Sequence, residues 1–292
     1  SFSWDSIAAA QARLYRELDG KVDAFGVGGA DLGVTIDKTW YPLYSVRPMV
    51  RFVKQTPLVD GAGLKNTLEV KLAPFLDRKL GQAIQPRRAL VTSGADRWGM
   101  AMSFLDAGYE CVFGDLMFAL GIPIAVRSKA GLKRLGALVM PIAGRLPFDW
   151  IYPTGEKQEV RTPKYGTFYT WGTVIAGDAH FIKRYMPERL DGKIIVTNTT
   201  TTEDVELFRR SGARYLVTST PVLDGRSFGT NMMEAALVAA SGKGRPLTRG
   251  GRPVVARRRP PAAADGGTRT VRSEPVARAD VARGRGRVEQ AR

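Results

Sequence analysis

Apolar residues recur along this chain in two rhythms. Short runs of about four apolar residues stop abruptly at Gly, Asp, Ser or Thr: Ala89–Thr92, Tyr109–Phe113, Thr173–Ile175, Ile194–Thr197 and Tyr215–Thr218. Between them lie longer stretches in which apolar residues return every third or fourth position. The runs read as strands buried on both faces, and the stretches as amphipathic helices. Their alternation predicts an α/β fold, a mostly parallel, doubly wound Rossmann-like sheet with helices on both faces. Helices are expected over residues 6–18, 44–54 with Pro48 in the first turn, 64–80 with a break near Pro74, 96–106, from Ala179 to before Pro187, from an N-cap at Thr202 to Gly212, and 231–240. Residues 130–143 read as a helix followed by a strand at Val139-Met140-Pro141, and 146–172 as an excursion with short strands. Two earlier strands are expected, within Lys21–Val27 and at Thr56–Val59.

The densest signal is ALVTSGADRWGMAMSFLDAGYECVFGD, residues 89–115, ordered as strand, tight turn, helix and strand. In dinucleotide-binding folds such a turn holds a pyrophosphate, and an acid about 20 residues on holds a ribose. Gly94 and Gly99 take the first and last glycine positions, and Asp115 lies 21 residues after Gly94. The expected cofactor-binding set is Ser93, Gly94, Arg97, Gly99 and Asp115, holding NAD or NADP. A carboxylate at 115 favours NAD, because it repels a 2′-phosphate. Asp96 stands where the middle glycine belongs and would repel phosphate unless Arg97 offsets it. A βαβ unit with no ligand is the alternative.

KIIVTNTTTTEDVELFRRSGARYLVTSTP, residues 193–221, repeats the strand–helix–strand order. In open parallel sheets ligands bind beyond the carboxyl ends of strands. There the chain carries Gly28-Gly29-Ala30-Asp31, Asp60-Gly61, Ser93-Gly94, Asp115, Gly177-Asp178, Asn198-Thr199 and Ser219-Thr220. Asp60, Gly61, Asn198 and Thr199 are the substrate-binding candidates. DGAGLKNTLE, residues 60–69, puts Lys65 and Asn66 near a helix start, where anions are favoured. Lys65 can hold a carboxylate or take part in proton transfer, so Lys65 and Asn66 are the catalytic candidates. A solvent-facing helix cap is the plainer reading. His180 is the sole histidine and cannot build a multi-histidine metal site. No zinc spacing, P-loop or G-x-S-x-G elbow is present.

LDGKVDAFGVGGADL, TPLVDGAGLKNTLE and VTSGADRWGMA together resemble the bacterial quinate 5-dehydrogenase family, over about Leu14 to Leu247. The resemblance implies NAD(P)-dependent oxidation of a ring hydroxyl of quinate or a similar cyclic hydroxy acid. Lys65-Asn66 would be the loose counterpart of a catalytic lysine. The N-x-T-x-P-x-K segment and the full glycine fingerprint of shikimate and quinate dehydrogenases are missing. A non-catalytic α/β protein binding a metabolite or nucleotide is the alternative.

Composition changes the picture mainly at the end of the chain. Hydrophobic residues at 44% and charged residues at 25% are ordinary for a globular protein. Residues 249–292 hold 12 Arg against four acids, and no Leu, Ile, Met, Phe, Tyr or Trp. This segment supplies half of the net charge of +16. Such a tail cannot bury enough apolar surface to fold. A reading-frame shift in GC-rich coding DNA, a neutral tail and a nucleic-acid arm are the three readings of it. Nucleic acid is expected as a partner only through that arm. The expected organisation is an α/β substrate-side region over 1–86, a nucleotide-binding region over 87–247 and a disordered tail over 248–292. The single Cys111, in an apolar run, reads as a buried thiol in a reducing cytoplasm. The most apolar stretches, 116–126 and 135–143, are interrupted by Arg127, Lys129, Lys133 and Arg134, which argues against a membrane span. The expected partner is a small carboxylated metabolite, and homo-oligomerisation stays open.

Overall fold

In the computed structural model, residues 4–147, 161–247 and 289–291 are described. Five parallel strands form the central sheet: β5 (Arg88–Val91), β6 (Glu110–Phe113), β7 (Val174–Ala176), β8 (Ile194–Thr197) and β9 (Tyr215–Thr218), in the spatial order β6-β5-β7-β8-β9. A three-residue strand, Glu289–Ala291, pairs parallel with β9 at the outer edge. This pairing falls within the tail expected to be disordered. It uses backbone hydrogen bonds, which need no large apolar side chain. The rest of that tail, and residues 148–160 of the expected excursion, lie outside the described residues.

The register explains why the strand runs are apolar throughout. Val112, Leu90, Ile175, Ile195 and Leu216 align across the sheet and face one helix layer. Cys111, Ala89, Val174 and Ile194, with Phe113, Val91, Ala176, Val196 and Val217, face the other. Each face is covered by helices, so neither tolerates polar alternation. On the second face lie α4 (Leu72–Leu80), α5 (Trp98–Asp106) and α6 (Lys129–Ala143), contributing Leu76, Phe104 and Leu132. On the first lie α7 (Gly166–Trp171), α8 (Ala179–Tyr185) and α9 (Thr202–Arg210), contributing Tyr169, Ile182 and Phe208. The doubly wound α/β expectation is the observed fold. Cys111 is buried, and burial pushes its thiol up to about 12.

The chain enters this sheet at β5, next to the β6 edge, steps to β6, and returns past β5 to β7. That reversal makes the carboxyl ends of β5 and β7 the switch point, where the two loops diverge and leave a crevice.

Ahead of the sheet, α1 (Trp4–Leu18), β1 (Phe25–Gly26), α2 (Arg47–Val50) and β4 (Leu58–Val59) enclose a smaller core around Val46 and Met49. Strands β1 and β4 pair in parallel. A hairpin the sequence reading missed, β2 (Gly33–Ile36) and β3 (Thr39–Pro42), turns at Asp37, whose φ is 57°. Its Ile36 side chain packs where Gly136 of α6 lacks one. The last helix, α10 (Thr230–Ser241), folds back onto the first unit: Asn231 Nδ2 donates to the Val27 carbonyl at 2.6 Å.

Several expectations are corrected. Residues 129–143 form one helix, not a helix and strand. Pro141 falls in its last turn, where its missing N–H costs a single hydrogen bond. Residues 166–171 are helical, not extended. The cap of α9 is Thr201, not Thr202: Thr201 Oγ1 accepts from Asp204 N, and Asp204 Oδ2 accepts from Thr201 N. Residues 64–80 split into α3 (Ala62–Leu68) and α4, joined by a 3-10 turn at Glu69–Lys71.

Gly61 joins the two units. Its φ is 88°, and a Cβ there would sit 2.5 Å from both the Asn231 nitrogen and Thr230 Oγ1. Gly61→Ala combines left-handed strain with a backbone clash. It should lower unfolding free energy by more than about 2 kcal/mol, read as a shifted urea midpoint. An unchanged midpoint would mean that the start of α10 can retreat.

Candidate functional site

Helix α3 follows β4, its start fixed by the turn at Asp60-Gly61. Asp60 itself is consumed by that turn: Oδ1 accepts from Ala62 N at 3.0 Å, and Oδ2 accepts from Leu32 N at 2.9 Å. Glu234 of α10 caps the helix from outside, accepting from Gly63 N at 3.2 Å. The close approach that Gly61 permits is therefore to α10. Lys65, one turn on, points toward the loop after β1, where Nζ meets Asp31 Oδ2 at 2.6 Å. The lysine side chain is 12% exposed and the aspartate 18%.

This pair opens on a small, partly open cleft between α3, the β2–β3 hairpin and the start of α5. Asp31, Lys65, Asn66, Glu69, Asp96 and Trp98 line it. Burial works against a charge on Lys65, but Asp31 and Asp96 together outweigh it and hold the lysine above its ordinary value. Burial, which Lys65 only partly opposes, pushes the Asp31 carboxyl up to about 7.

Behind the cleft sits Arg97, buried at the head of α5. Its Nη1 donates to Glu69 Oε1 at 2.8 Å and its Nη2 to Asp178 Oδ2 at 2.8 Å, while Nε lies 3.4 Å from Asp96 Oδ2. Burial opposes its charge, yet Glu69, Asp96 and Asp178 raise its pKa well above normal. Asp178 belongs to the loop after β7. Its other oxygen caps α8 by accepting from His180 N at 2.9 Å. Burial opposes ionisation of Asp178 too, but Arg97 and His180 together keep its carboxyl below the usual range. Asn198, after β8, donates to Asp178 Oδ2 at 3.4 Å. Arg97 and Asp178 thus join across the switch point. Thr199 is half-buried in the loop after β8, and His180 is exposed.

The turn expected to hold a pyrophosphate is filled by the protein. Asp115 Oδ2 accepts from Gly94 N at 3.0 Å and Oδ1 from Ala95 N at 2.7 Å. These are the N–H groups that a phosphate would need. A Cβ on Gly94 would meet Phe113, Leu132 and Asp115, so that glycine serves packing. Gly99 likewise lies against Val70, the Lys65 carbonyl and Glu69. Ser93 is buried, with its hydroxyl unpartnered. Among the cofactor-binding candidates, Arg97 is committed to carboxylates and Asp115 to the turn. A dinucleotide does not fit this arrangement.

Three site residues escaped the sequence reading. Asp31 appeared there only as a strand-end residue. Glu69 carried a readable signal: it lies three, four and seven positions before the buried Leu72, Ala73 and Leu76, a charge placed on an apolar stripe. Glu234 carried none, since only the tertiary fold brings residues 63 and 234 together.

Burial raises the Asp115 carboxyl from an ordinary 3.8 to about 6. Its stabilising contribution is thus complete at low pH and is lost as pH rises from about 4 to about 6. Asp115→Asn cannot titrate. The melting-temperature gap between wild type and variant should move in the variant's favour over that window. A gap that stays constant would contradict the burial argument.

No described helix is long and apolar enough to cross a membrane. No curated protein matches the chain. Residues 3–60 match a domain of unknown function (DUF8753), and residues 63–250 match a second (DUF8754). The break between them falls at the Asp60–Gly63 turn, where α3 leaves the first unit to pack on α5. With most of its length inside the second match, the chain belongs to the DUF8754 family.

Proposed function

We propose that the Lys65–Asp31 cleft is the working site and that it takes a small cyclic hydroxy acid of the quinate kind. The observation that carries this reading is the ion pair itself, 2.6 Å long, largely buried and opening on the cleft. Lys65 stays cationic and suits a carboxylate or a hydroxyl oxygen. Asp31, its carboxyl pushed up to about 7, is poised to exchange a proton near neutral pH. Ionised Asp31 accepts a hydrogen bond from a ligand hydroxyl while Lys65 holds the same oxygen, and Asp31 takes the proton fully only if the carbon bearing that hydroxyl gives up a hydride.

The oxidoreductase form of this reading, an NAD(P)-dependent oxidation of that hydroxyl, draws its cofactor from the quinate 5-dehydrogenase resemblance. No step is assigned to a dinucleotide, because the N–H groups of Gly94 and Ala95 that its phosphates would need are taken by Asp115. A second reading, a metabolite-binding protein without turnover, is supported by the Asp115 contact that fills the turn.

Quinate should raise the melting temperature of the wild type, and Lys65→Met should reduce that shift. Any turnover should increase as pH passes about 7, where Asp31 ionises, and Asp31→Asn should flatten the profile. NADH titration separates the two readings: saturable binding supports the oxidoreductase form, and its absence supports the binding protein. No shift with millimolar quinate sinks the proposal.

A further inference from the structure

Glu69 is 1% exposed, its Oε1 held by Arg97 and its Oε2 without a hydrogen-bond partner. It belongs to the lining of the cleft, together with Asp31, Asp96 and Trp98. A buried carboxylate oxygen left unpaired is costly, and such groups in folded proteins call for a partner. The charges around the cleft do not supply one. Lys65 is engaged by Asp31 at 2.6 Å, and the Arg97 guanidinium is spread over Glu69, Asp96 and Asp178.

Three carboxylates against one lysine make a poor general anion site but a good acceptor set for O–H donors. A hydroxyl meets that need, because the Glu69 carboxylate accepts a hydrogen bond from its O–H. Trp98, half-buried in the same wall, offers a flat apolar face. Rings that present several hydroxyls from one edge and C–H bonds from the other suit that combination of aromatic face and convergent polar groups.

We infer that Glu69 is a specificity-determining residue of the cleft and that the ligand is recognised chiefly by its ring hydroxyls, so that the site takes cyclic polyols whether or not they carry a carboxylate. This rests on the proposed function and narrows its substrate class. Lys65 then adds affinity for an acid group when one is present. Arg97 is a positioning residue: it holds Glu69 Oε1 and so directs the second oxygen.

The test compares three probes on the full-length protein by calorimetry and thermal shift: quinate, myo-inositol and cyclohexanecarboxylate, which has the ring and the acid but no hydroxyl. Quinate and myo-inositol should bind, and cyclohexanecarboxylate should not. Glu69→Gln preserves shape and the acceptor for Arg97 but puts an amide nitrogen in place of Oε2. It should weaken both binders by about tenfold or more, the size of a lost hydrogen bond to a charged group, with an unchanged circular dichroism spectrum. Should that variant fail to fold, Trp98→Leu serves in its place and should lose myo-inositol binding. Cyclohexanecarboxylate binding as well as quinate would overturn the inference. So would quinate binding that needs Lys65 but ignores Glu69 and Trp98, an outcome that leaves the proposed function standing. If no probe binds, both fall together.

Discussion

The buried guanidinium of Arg97 is the interaction on which the rest of this structure depends. It joins three segments far apart in sequence: the α3–α4 junction through Glu69, its own turn through Asp96, and the loop after β7 through Asp178. A buried charge is tolerated only when its partners surround it, and removing one partner of such a pair typically costs about 3–5 kcal/mol. The pairs therefore fix the relative positions of α3, α5 and α8 at the switch point. The cleft wall follows from that constraint, because Glu69, Asp96 and Trp98 are held by the same cluster.

A second regularity runs through the site. Two backbone features suggest anion binding, the turn at Gly94-Ala95 and the start of α3. Each is filled by a carboxylate of the chain itself, Asp115 in one case and Glu234 in the other. Helix starts and tight turns leave N–H groups that must find acceptors. In nucleotide-binding proteins a phosphate meets that need, whereas here the demand is met internally. The acidic residue at the end of β6 has the spacing of a ribose ligand and a different use. A fingerprint read by spacing alone cannot separate these outcomes, since both require glycines at the same turn.

Much of the site was half-legible. Lys65 and Asn66, the catalytic candidates of the sequence, both line the cleft. Asp60, Gly61 and Asn198 lie at strand ends as read, but Asp60 and Gly61 build the turn and Asn198 supports Asp178. Arg97 was read as a residue that could offset Asp96, and it lies beside it, inside a wider network. Asp31 was hidden because its loop precedes a hairpin that the sequence reading missed. The β2–β3 hairpin is short, and its second strand, Thr39–Pro42, is exposed or half-buried throughout rather than alternating.

The sequence by itself determined the doubly wound α/β fold. Strand runs buried on both faces can be apolar throughout only if helices cover both sides, so the pattern carries the architecture. It also determined where loops end in small and acidic residues. Only the tertiary structure decided what those residues do. Whether a carboxylate faces a phosphate, a backbone N–H or a guanidinium depends on which distant segment packs against it, and pairs such as Gly63 with Glu234 or Arg97 with Asp178 have no local signature. Burial then sets the chemistry: the same aspartate side chain is pushed up to about 7 at position 31, where the Asp96 and Asp60 carboxylates add to burial against Lys65, and is held below its usual range at 178, where Arg97 and His180 together outweigh burial.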